Sequence, residues 1–176
     1  MALSPALSRT GALTAEELCR RYSARVCRFA ALVSRNHAEA EDLAQEALLK
    51  AVRGGGSYDP SRGAPEAWLW GIVVNASRDA GRRHERSRWL LERLRLAAVR
   101  ESESPEALAL DRLRDSDLHR ELRRLPQRDR TLLALRYGVG LETSEVGTAV
   151  GLGTESAGKA IRRALARLRA RLEDMS

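Results

Sequence analysis

The sequence predicts an all-α protein made of two small helical domains joined by a linker. Apolar residues recur at steps of three or four along most of the chain, and no stretch alternates with period two for long enough to require a sheet. Charge also divides the chain, since residues 1–93 and 118–176 have net charges of +4 and +5, whereas residues 94–117 have −2. We therefore predict one domain at 1–93, an acidic linker at 94–117 and a second domain at 118–176.

The composition favours a globular protein that binds a polyanion. The chain has 176 residues, 43% of them hydrophobic, and its net charge of +7 points toward nucleic acid, with a membrane surface as the competing partner. No apolar run approaches the roughly 18 to 20 residues that a spanning helix needs, and the start MALSPALSRTGAL lacks a signal-peptide pattern. We expect a cytoplasmic protein without membrane insertion.

Catalytic and metal-binding patterns are not found in the sequence. The three histidines at 37, 84 and 119 are scattered, and the glycine run at 54–56 lacks the Lys-Ser/Thr ending of a phosphate loop. Cys19 and Cys27 lie in one predicted helix without metal-ligand spacing, so we interpret them as small packing residues. We expect no enzymatic activity, no metal and no cofactor.

Three helices are predicted in the first domain. Thr14 and Glu17 form a capping-box signature that opens a helix through about Arg35. The stretch NHAEAEDLAQEALLKAV follows with apolar residues at helical spacing and ends at the glycine run 54–56. A third helix should begin at Pro65, because proline is favoured in a first helical turn.

The second domain contains a helix-turn-helix pattern. Ser104-Pro105-Glu106 is a typical helix start, so we expect Ser104 to cap a helix leading into the domain. Glycine and proline positions then predict helices over about 126–137, 143–150 and 154–173. Two helices joined by a short glycine-containing turn, the second of them basic, are typical of a DNA-binding helix-turn-helix.

The last helix has an apolar stripe and a basic remainder. The stripe comprises Ala157, Ile161, Ala164, Leu165, Leu168 and Leu172. The basic residues are Lys159, Arg162, Arg163, Arg167, Arg169 and Arg171. They can simply solvate the helix and complement its C-terminal dipole, or they can bind phosphates and guanine edges in a major groove. Thr154 and Ser156 can either cap the helix or bond a phosphate.

Taken together, these blocks resemble the extracytoplasmic-function (ECF) class of bacterial RNA polymerase sigma factors. The resemblance covers roughly residues 14–88 and 118–172 and rests on LCRRYSARVCRFA, AEDLAQEALLKAV, SYDPSRGAPEAWLWGIVVNASRDAGRR, LRRLPQRDRTLLALRYGVGL, SEVGTAVGL and IRRALARLR. It implies a specificity subunit that binds core RNA polymerase and promoter DNA and directs transcription initiation. It also implies regulation by a separate anti-sigma protein.

The resemblance implies particular contact residues in the first domain. Asp42, Gln45 and Glu46 would dock on polymerase, and they lie off the Leu43/Ala47 stripe; an acidic helix start that favours the dipole is the alternative. The minus-ten promoter element would contact Tyr58, Trp70, Asn75, Arg78, Arg82 and Arg83. Tyr58 and Asn75 would receive an unpaired base, although Asn75 can instead bond locally. Because Trp68 and Trp70 lie roughly 200° apart on a helix, we expect Trp68 to pack and Trp70 to be more exposed.

The second domain departs from the family pattern where it would read the minus-thirty-five element. The residues implied there are Thr154, Ser156, Lys159, Arg162 and Arg163, of which Arg163 is the best remaining candidate for base contacts. Gly158 stands where the family usually has Lys or Arg, and Lys159 stands where it has a small Ser. Glu142 replaces a capping Ser, so we expect the cap at Thr143. These changes predict weakened minus-thirty-five specificity.

Two other functions remain open from the sequence. One is a helix-turn-helix regulator that binds duplex DNA without core polymerase, which would leave the first-domain blocks unexplained. The other is a degenerate sigma relative that titrates an anti-sigma protein as a decoy. Since the chain ends at Ser176, shortly after the last helix, we also expect no C-terminal regulatory domain.

Overall fold

The computed structural model describes residues 14–55, 58–59, 61, 64–93 and 117–175, and in these ranges the chain forms helices and no strand. The elements are α1 (Ala15–Val33), α2 (His37–Gly54), α3 (Pro65–Arg93), α4 (Asp117–Arg124), α5 (Gln127–Leu133), a π-helical segment (Ala134–Val139), α6 (Thr143–Val150) and α7 (Thr154–Glu173). The all-α prediction is confirmed. The expected cap at Ser104 and the acidic linker, apart from Asp117, lie outside the described residues.

Local capping signals explain where the first helices begin. The Thr14 hydroxyl accepts a hydrogen bond from the Glu17 backbone N–H at 3.1 Å, and the Glu17 carboxylate accepts one from the Thr14 N–H at 3.0 Å. This is the predicted capping box. Asn36 caps α2 in the same sense, since its side-chain oxygen accepts from the Glu39 N–H at 2.8 Å.

The core of the first domain contradicts the expected exposure of the two tryptophans. Trp70 is 1% exposed, packs edge-on against Phe29 with ring centroids 5.9 Å apart, and has the Arg25 guanidinium 5.6 Å from its ring. Trp68 is only half-buried and lies against Tyr58. The expectation that Trp70 is the exposed one was wrong, because Trp70 shares the buried stripe of α3 with Val73 and Val74.

The interpretation of the two cysteines as packing residues was also wrong. Cys19 and Cys27 are both exposed on α1. Each follows a fully buried residue, Leu18 or Val26, by one position. One step along an α-helix rotates the side chain by about 100°, which takes both thiols off the buried stripe.

The α-helix predicted over about 126–137 ends early. It is α-helical only to Leu133 and continues as a π-helical turn, which is closed by a bond from the Leu141 N–H to the Leu135 carbonyl at 3.0 Å. Gly140 ends the turn in the left-handed region, with φ of 84°. The wider turn adds backbone between α5 and α6.

The second domain combines an apolar cluster with buried ion pairs. Leu122, Leu125, Leu133, Ala164 and Leu168 form the cluster between α4, α5 and α7. Beside it, Glu121 is 2% exposed and accepts from Arg124 at 2.6 Å and from Arg171 at 3.2 Å. The carboxylate therefore ties α4 to the last turns of α7.

The two domains pack directly on each other. A single apolar cluster contains Phe29 and Trp70 of the first domain together with Leu135, Val146 and Ile161 of the second. The contacts run from α1 to the π-helical segment and from α3 to α6. This places the helix-turn-helix beside the third helix of the first domain.

Replacing the buried carboxylate, Glu121→Gln, should lower the free energy of unfolding by about 1 to 3 kcal/mol, because a neutral amide cannot compensate the arginines around it. Urea unfolding followed by circular dichroism measures the loss. Asp117→Asn is the matched control, since Asp117 also pairs with an arginine but its side chain is 68% exposed; its loss should stay below about 1 kcal/mol. Equal midpoints for the two variants would contradict the assignment.

Candidate functional site

The outward face of α2 combines polar and apolar side chains. Asp42 and Gln45 are exposed, as expected from their position off the buried stripe. Leu49 and Val52 continue this face and are 45% and 37% exposed. The sequence reasoning missed both, although their positions off the Leu43/Ala47 stripe were the available signal. An exposed apolar strip bordered by polar groups is typical of a protein-binding surface.

Glu46 differs from its neighbours on α2 because its carboxylate forms ion pairs with other residues of the chain. Its two carboxylate oxygens lie 2.8 Å from Lys50 Nζ and 2.5 Å from an Arg83 guanidinium nitrogen. Hydrogen bonds from Lys50 and then Arg83 hold the pKa of the Glu46 carboxyl below its usual range. Glu46 therefore links α2 to α3 as an ionised group.

A groove of about 620 Å³ runs between α2 and α3. Its wall includes Glu46 and Leu49 from α2 and His84 from α3, and Gln127 of the second domain borders it. Burial, followed by the charge of Arg35, lowers the pKa of the His84 imidazole. The second domain thus reaches the edge of the α2 surface without covering its exposed residues.

The minus-ten candidates fall mainly on one side of α3. Trp68, Asn75 and Arg82 are seven residues apart in turn, so they lie on the same face. Tyr58 joins this side because its ring lies 5.7 Å from that of Trp68, tilted by 59°. The structure thus brings Tyr58, Asn75 and Arg82 to one side of the helix, and it buries Trp70 in the core instead.

The arginines on α3 have different partners. Arg78 donates to the Asn75 side-chain oxygen at 3.3 Å and to the Val150 carbonyl at 3.0 Å. Arg82 bonds to Asp79, and Arg83 bonds to Glu46. All three are exposed. The local bonding that was the alternative for Asn75 is therefore present, and it orients the amide along the basic face of α3.

The helix-turn-helix has the predicted bounds, but its first cap differs from the expectation. The residue before α6 is Glu142, whose backbone N–H donates to the Glu145 carboxylate at 2.6 Å, so the expected cap at Thr143 was wrong. Glu142 adopts the extended backbone of an N-cap and leaves Thr143 inside the helix. The turn is closed by Gly151, with φ of 78°, and by a bond from the Leu152 N–H to the Gly147 carbonyl at 2.8 Å.

The apolar stripe of α7 is confirmed in its centre. Ala157, Ile161, Ala164 and Leu168 are buried, whereas Leu165 and Leu172 are half-buried. Residue Gly153 occupies the N-cap, so neither Thr154 nor Ser156 is the capping residue. Both are exposed at the first turn of the helix.

The basic residues of α7 divide into internal and outward groups. Lys159 pairs with Glu155 at 2.5 Å, and Arg167 pairs with the buried Asp129 at 2.6 Å. Arg162 and Arg163 are exposed and make no ion pair with any residue in the described part of the chain. These two guanidiniums are the cations that the first half of α7 offers to a ligand.

Gly158 lies at the edge between α6 and the outer face of α7. A Cβ built there would meet the Thr143 methyl carbon at 3.6 Å and an Arg162 guanidinium nitrogen at 3.5 Å, which are ordinary contacts. Gly147 differs, because its Cβ would lie 2.7 Å from the Leu152 carbonyl oxygen. Packing therefore does not require a glycine at position 158, but it does require one at position 147.

Two other kinds of site are absent from the described residues. None of their helices is both long enough and apolar enough to cross a membrane. Within the same ranges, no group of three or more His, Cys, Asp or Glu side chains is arranged to hold a metal ion. The surfaces on α2, α3 and α7 are the candidates that remain.

Both halves of the chain match models of known protein families. Residues 18–87 match the family model Sigma-70 region 2, and residues 122–170 match Sigma-70, region 4. The chain is 36% identical over 146 residues to the ECF RNA polymerase sigma factor SigE of Mycolicibacterium smegmatis, covering 79% of this chain and 54% of that protein. It is 30% identical over 150 residues to the RNA polymerase sigma factor SigV of Bacillus subtilis, covering 81% and 82%.

Some matches span less of the relative. A stretch of 80 residues is 46% identical to the RNA polymerase sigma factor CarQ of Myxococcus xanthus and covers 44% of each chain. The matched stretch is thus about half the length of SigE and of CarQ.

Two solved structures share the fold. CnrH, in complex with the cytosolic domain of CnrY, superimposes with a TM-score of 0.66 at 23% identity over 92% of this chain and 89% of that one. The sigma factor RpoE of Bartonella quintana, in complex with the anti-sigma factor NepR, superimposes with a TM-score of 0.66 at 19% identity over 90% and 96%.

The contrast between the two helical glycines yields a stability prediction. Gly158→Ala should raise the free energy of unfolding by up to about 1 kcal/mol, because alanine is the better helix former and its methyl group fits. Gly147→Ala is the matched control and should destabilise, since its methyl group would collide with the Leu152 carbonyl. Thermal unfolding of both variants checks the pair; a Gly158→Ala protein less stable than the original would overturn this account of the position.

Proposed function

Because the chain belongs to the ECF class of RNA polymerase sigma factors, we propose that it binds core RNA polymerase and directs promoter recognition and transcription initiation. It acts as a regulatory subunit in the cytoplasm and not as an enzyme. The observation that carries this proposal is the exposed face of α2, where Asp42, Gln45, Leu49 and Val52 lie together. A regulator that needed only its helix-turn-helix would have no use for that face.

Polymerase docks on this face of α2. Leu49 and Val52 supply apolar area at the centre, and Asp42 and Gln45 supply polar contacts at its edge. Glu46 takes part by holding α2 against α3, since both of its oxygens already have cationic partners. The docking surface is therefore connected by one carboxylate to the helix that meets the promoter.

The minus-ten element binds along α3. A base that leaves the duplex stacks on the Tyr58 and Trp68 pair and bonds to the Asn75 amide. Arg78 and Arg82 neutralise phosphates on the same side of the helix. Arg83, which is ion-paired with Glu46, holds α3 against α2 behind this side of the helix. Trp70 supports the site from within the core and touches no DNA.

The minus-thirty-five element binds the first half of α7. Arg163 reads a base edge, and Arg162 positions the helix on the phosphate backbone. Thr154 and Ser156 bond a phosphate at the helix N-terminus, and Lys159 contributes through its exposed ammonium beside Glu155. Gly158 has no side chain that could contact a base, whereas a longer residue at this position could add such a contact. Specificity at this element is therefore weak.

An anti-sigma protein is the proposed regulatory partner. The structures of CnrH and of RpoE from Bartonella quintana are complexes with CnrY and with the anti-sigma factor NepR, respectively. A decoy that only titrates such a protein would bind it without supporting transcription. Run-off transcription with purified core polymerase on a library of promoter fragments separates the two functions, because a decoy yields no transcript.

Introducing a single charged side chain on the exposed face of α2 tests whether polymerase docks there. Leu49→Asp should weaken binding to core polymerase at least about tenfold, since burying an unpaired carboxylate in an apolar contact is unfavourable. Leu118→Asp is the matched control, because Leu118 is a similarly exposed leucine, 49% against 45%, on α4. Binding of fluorescently labelled chain to core polymerase measures both. Equal affinities of the two variants would contradict docking through α2.

The assignment of Arg163 can be tested against an arginine on the same helix. In holoenzyme, Arg163→Ala should weaken binding to the preferred minus-thirty-five sequence by about 1 to 3 kcal/mol and flatten its preference among bases. Arg169→Ala should have a smaller effect that is uniform across sequences, because Arg169 lies six residues farther from the helix start. Competition binding with a set of promoter variants distinguishes them; an unchanged base preference in Arg163→Ala would remove Arg163 from base readout.

A further inference from the structure

The second half of α3 contributes no residue to the core of the first domain. Ser77 is buried, but no side chain from Arg78 to Trp89 is. From Arg82 to Trp89, which we call the α3 arm, every residue except the half-buried His84 is exposed. Most helices in proteins are stabilised by packing an apolar face, and the α3 arm packs no such face. It is therefore a surface that the first domain presents to the outside.

The α3 arm is strongly basic. Its charged residues are Arg82, Arg83, Glu85, Arg86 and Arg88. Arg82 and Arg83 already have carboxylate partners in Asp79 and Glu46. Arg86 and Arg88, in contrast, form no ion pair with any residue that the structure describes. A positively charged surface of this kind attracts a polyanion.

Trp89 adds a large apolar ring to this basic surface. Its side chain is 57% exposed, whereas Trp70 on the same helix is 1% exposed. A tryptophan ring facing water offers apolar contact area at a low cost in side-chain entropy. Arginine next to an exposed aromatic ring is the combination that binds nucleic acid through its phosphates and through the flat faces of its sugars and bases.

Trp89 continues the face of α3 that carries the minus-ten candidates. Asn75, Arg82 and Trp89 are seven residues apart in turn, so the direction of the side chain changes by only about 20° at each step. Arg78 and Arg86 lie four residues before and after Arg82, and they share this face. One side of α3 thus presents an amide, three guanidiniums and an aromatic ring in succession.

The length of this face indicates where Trp89 would meet a promoter. Trp89 follows Asn75 by fourteen residues, which span about 21 Å at 1.5 Å per residue. At about 3.4 Å per base pair, the same length of duplex DNA is about six base pairs. The C-terminal end of α3 leads along the chain to the second domain, whose proposed element lies upstream. The α3 arm therefore extends from the minus-ten element toward the spacer between the two elements.

We propose that the α3 arm binds the duplex spacer upstream of the minus-ten element, with the Trp89 ring packed on a deoxyribose and Arg86 paired with a neighbouring phosphate. The proposal rests on the proposed function and extends the promoter contact beyond the two elements. Sugars and phosphates carry no base identity, so the contact adds affinity whatever the spacer sequence. It supplies binding that the weak minus-thirty-five contact does not.

Two promoter forks of different length test this contact in holoenzyme. Both contain the minus-ten element and lack the minus-thirty-five element, and their duplex extends about 3 or about 12 base pairs upstream, short of or past the position of Trp89. The original chain should bind the long fork at least about fivefold more tightly. Trp89→Ala should reduce this preference below about twofold. Arg86→Ala should also reduce it and should flatten its salt dependence, because one phosphate contact is lost.

Arg88→Ala and Tyr137→Ala are the matched controls. Arg88 is an exposed arginine of the same arm, but it points about 100° away from Trp89. Tyr137 is an aromatic residue of similar exposure, 59% against 57%, in the second domain. Both variants should keep the full preference for the long fork in competition binding. Circular dichroism verifies that all four variants are folded.

A cleavage probe locates the α3 arm on the DNA. In a Cys19→Ser, Cys27→Ser background, Trp89→Cys carries the only thiol of the chain, and an iron chelate is attached to it. A complete promoter holds the probe in place through both elements. The chelate should cut the spacer about six base pairs upstream of the base that bonds to Asn75.

The outcomes separate the spacer contact from the function on which it rests. Suppose that the original chain directs run-off transcription but binds both forks equally, that Trp89→Ala keeps the preference, or that the probe does not cut the spacer. Any of these results shows that the spacer contact is wrong, while the sigma function stands. If the original chain yields no transcript from any promoter fragment, the sigma function is wrong and the spacer contact is rejected with it.

Discussion

Helix α1 is the surface on which the rest of the chain is assembled. One stripe of it, which includes Val26, Phe29 and Ala30, is fully buried against α2 and α3. A neighbouring position, Leu32, packs against the clusters of both domains. Because α1 already lies on the inner faces of α2 and α3, the outer face of α2 and the basic side of α3 are left for partners. The positions of the candidate surfaces on α2 and α3 thus follow from the burial of one helix.

Elements set by local chemistry could be predicted from the sequence, and elements set by packing could not. The Thr14 capping box and the glycine turn before α7 depend on residues close in the chain, and both are confirmed. The sequence alone allows either Trp68 or Trp70 to be the buried tryptophan of α3. The contact of Trp70 with Phe29 decides which of them is buried. The interdomain hydrogen bonds leave no pattern in the sequence, because their acceptors are backbone carbonyl groups. The roles assigned to single residues in binding remain predictions.

The positive charge of the chain is less available than its net value of +7 indicates. Arg124 and Arg171 neutralise the buried Glu121, and Arg167 neutralises Asp129. These guanidiniums hold the second domain together, so they add little to the field that a DNA molecule meets. What remains outward on the first half of α7 is chiefly Arg162 and Arg163. Composition alone cannot separate structural arginines from those that face a ligand, since the separation depends on where the carboxylates are buried.

The apolar core shared by the two domains affects how strongly the chain self-associates. Separating the domains would expose apolar surface that Leu135, Val146 and Ile161 now bury against the first domain. Exposed apolar patches of this kind promote self-association, so an opened chain in dilute solution would be adhesive toward other copies. Burial of this surface in the shared core therefore keeps the chain from presenting an adhesive patch to other copies of itself.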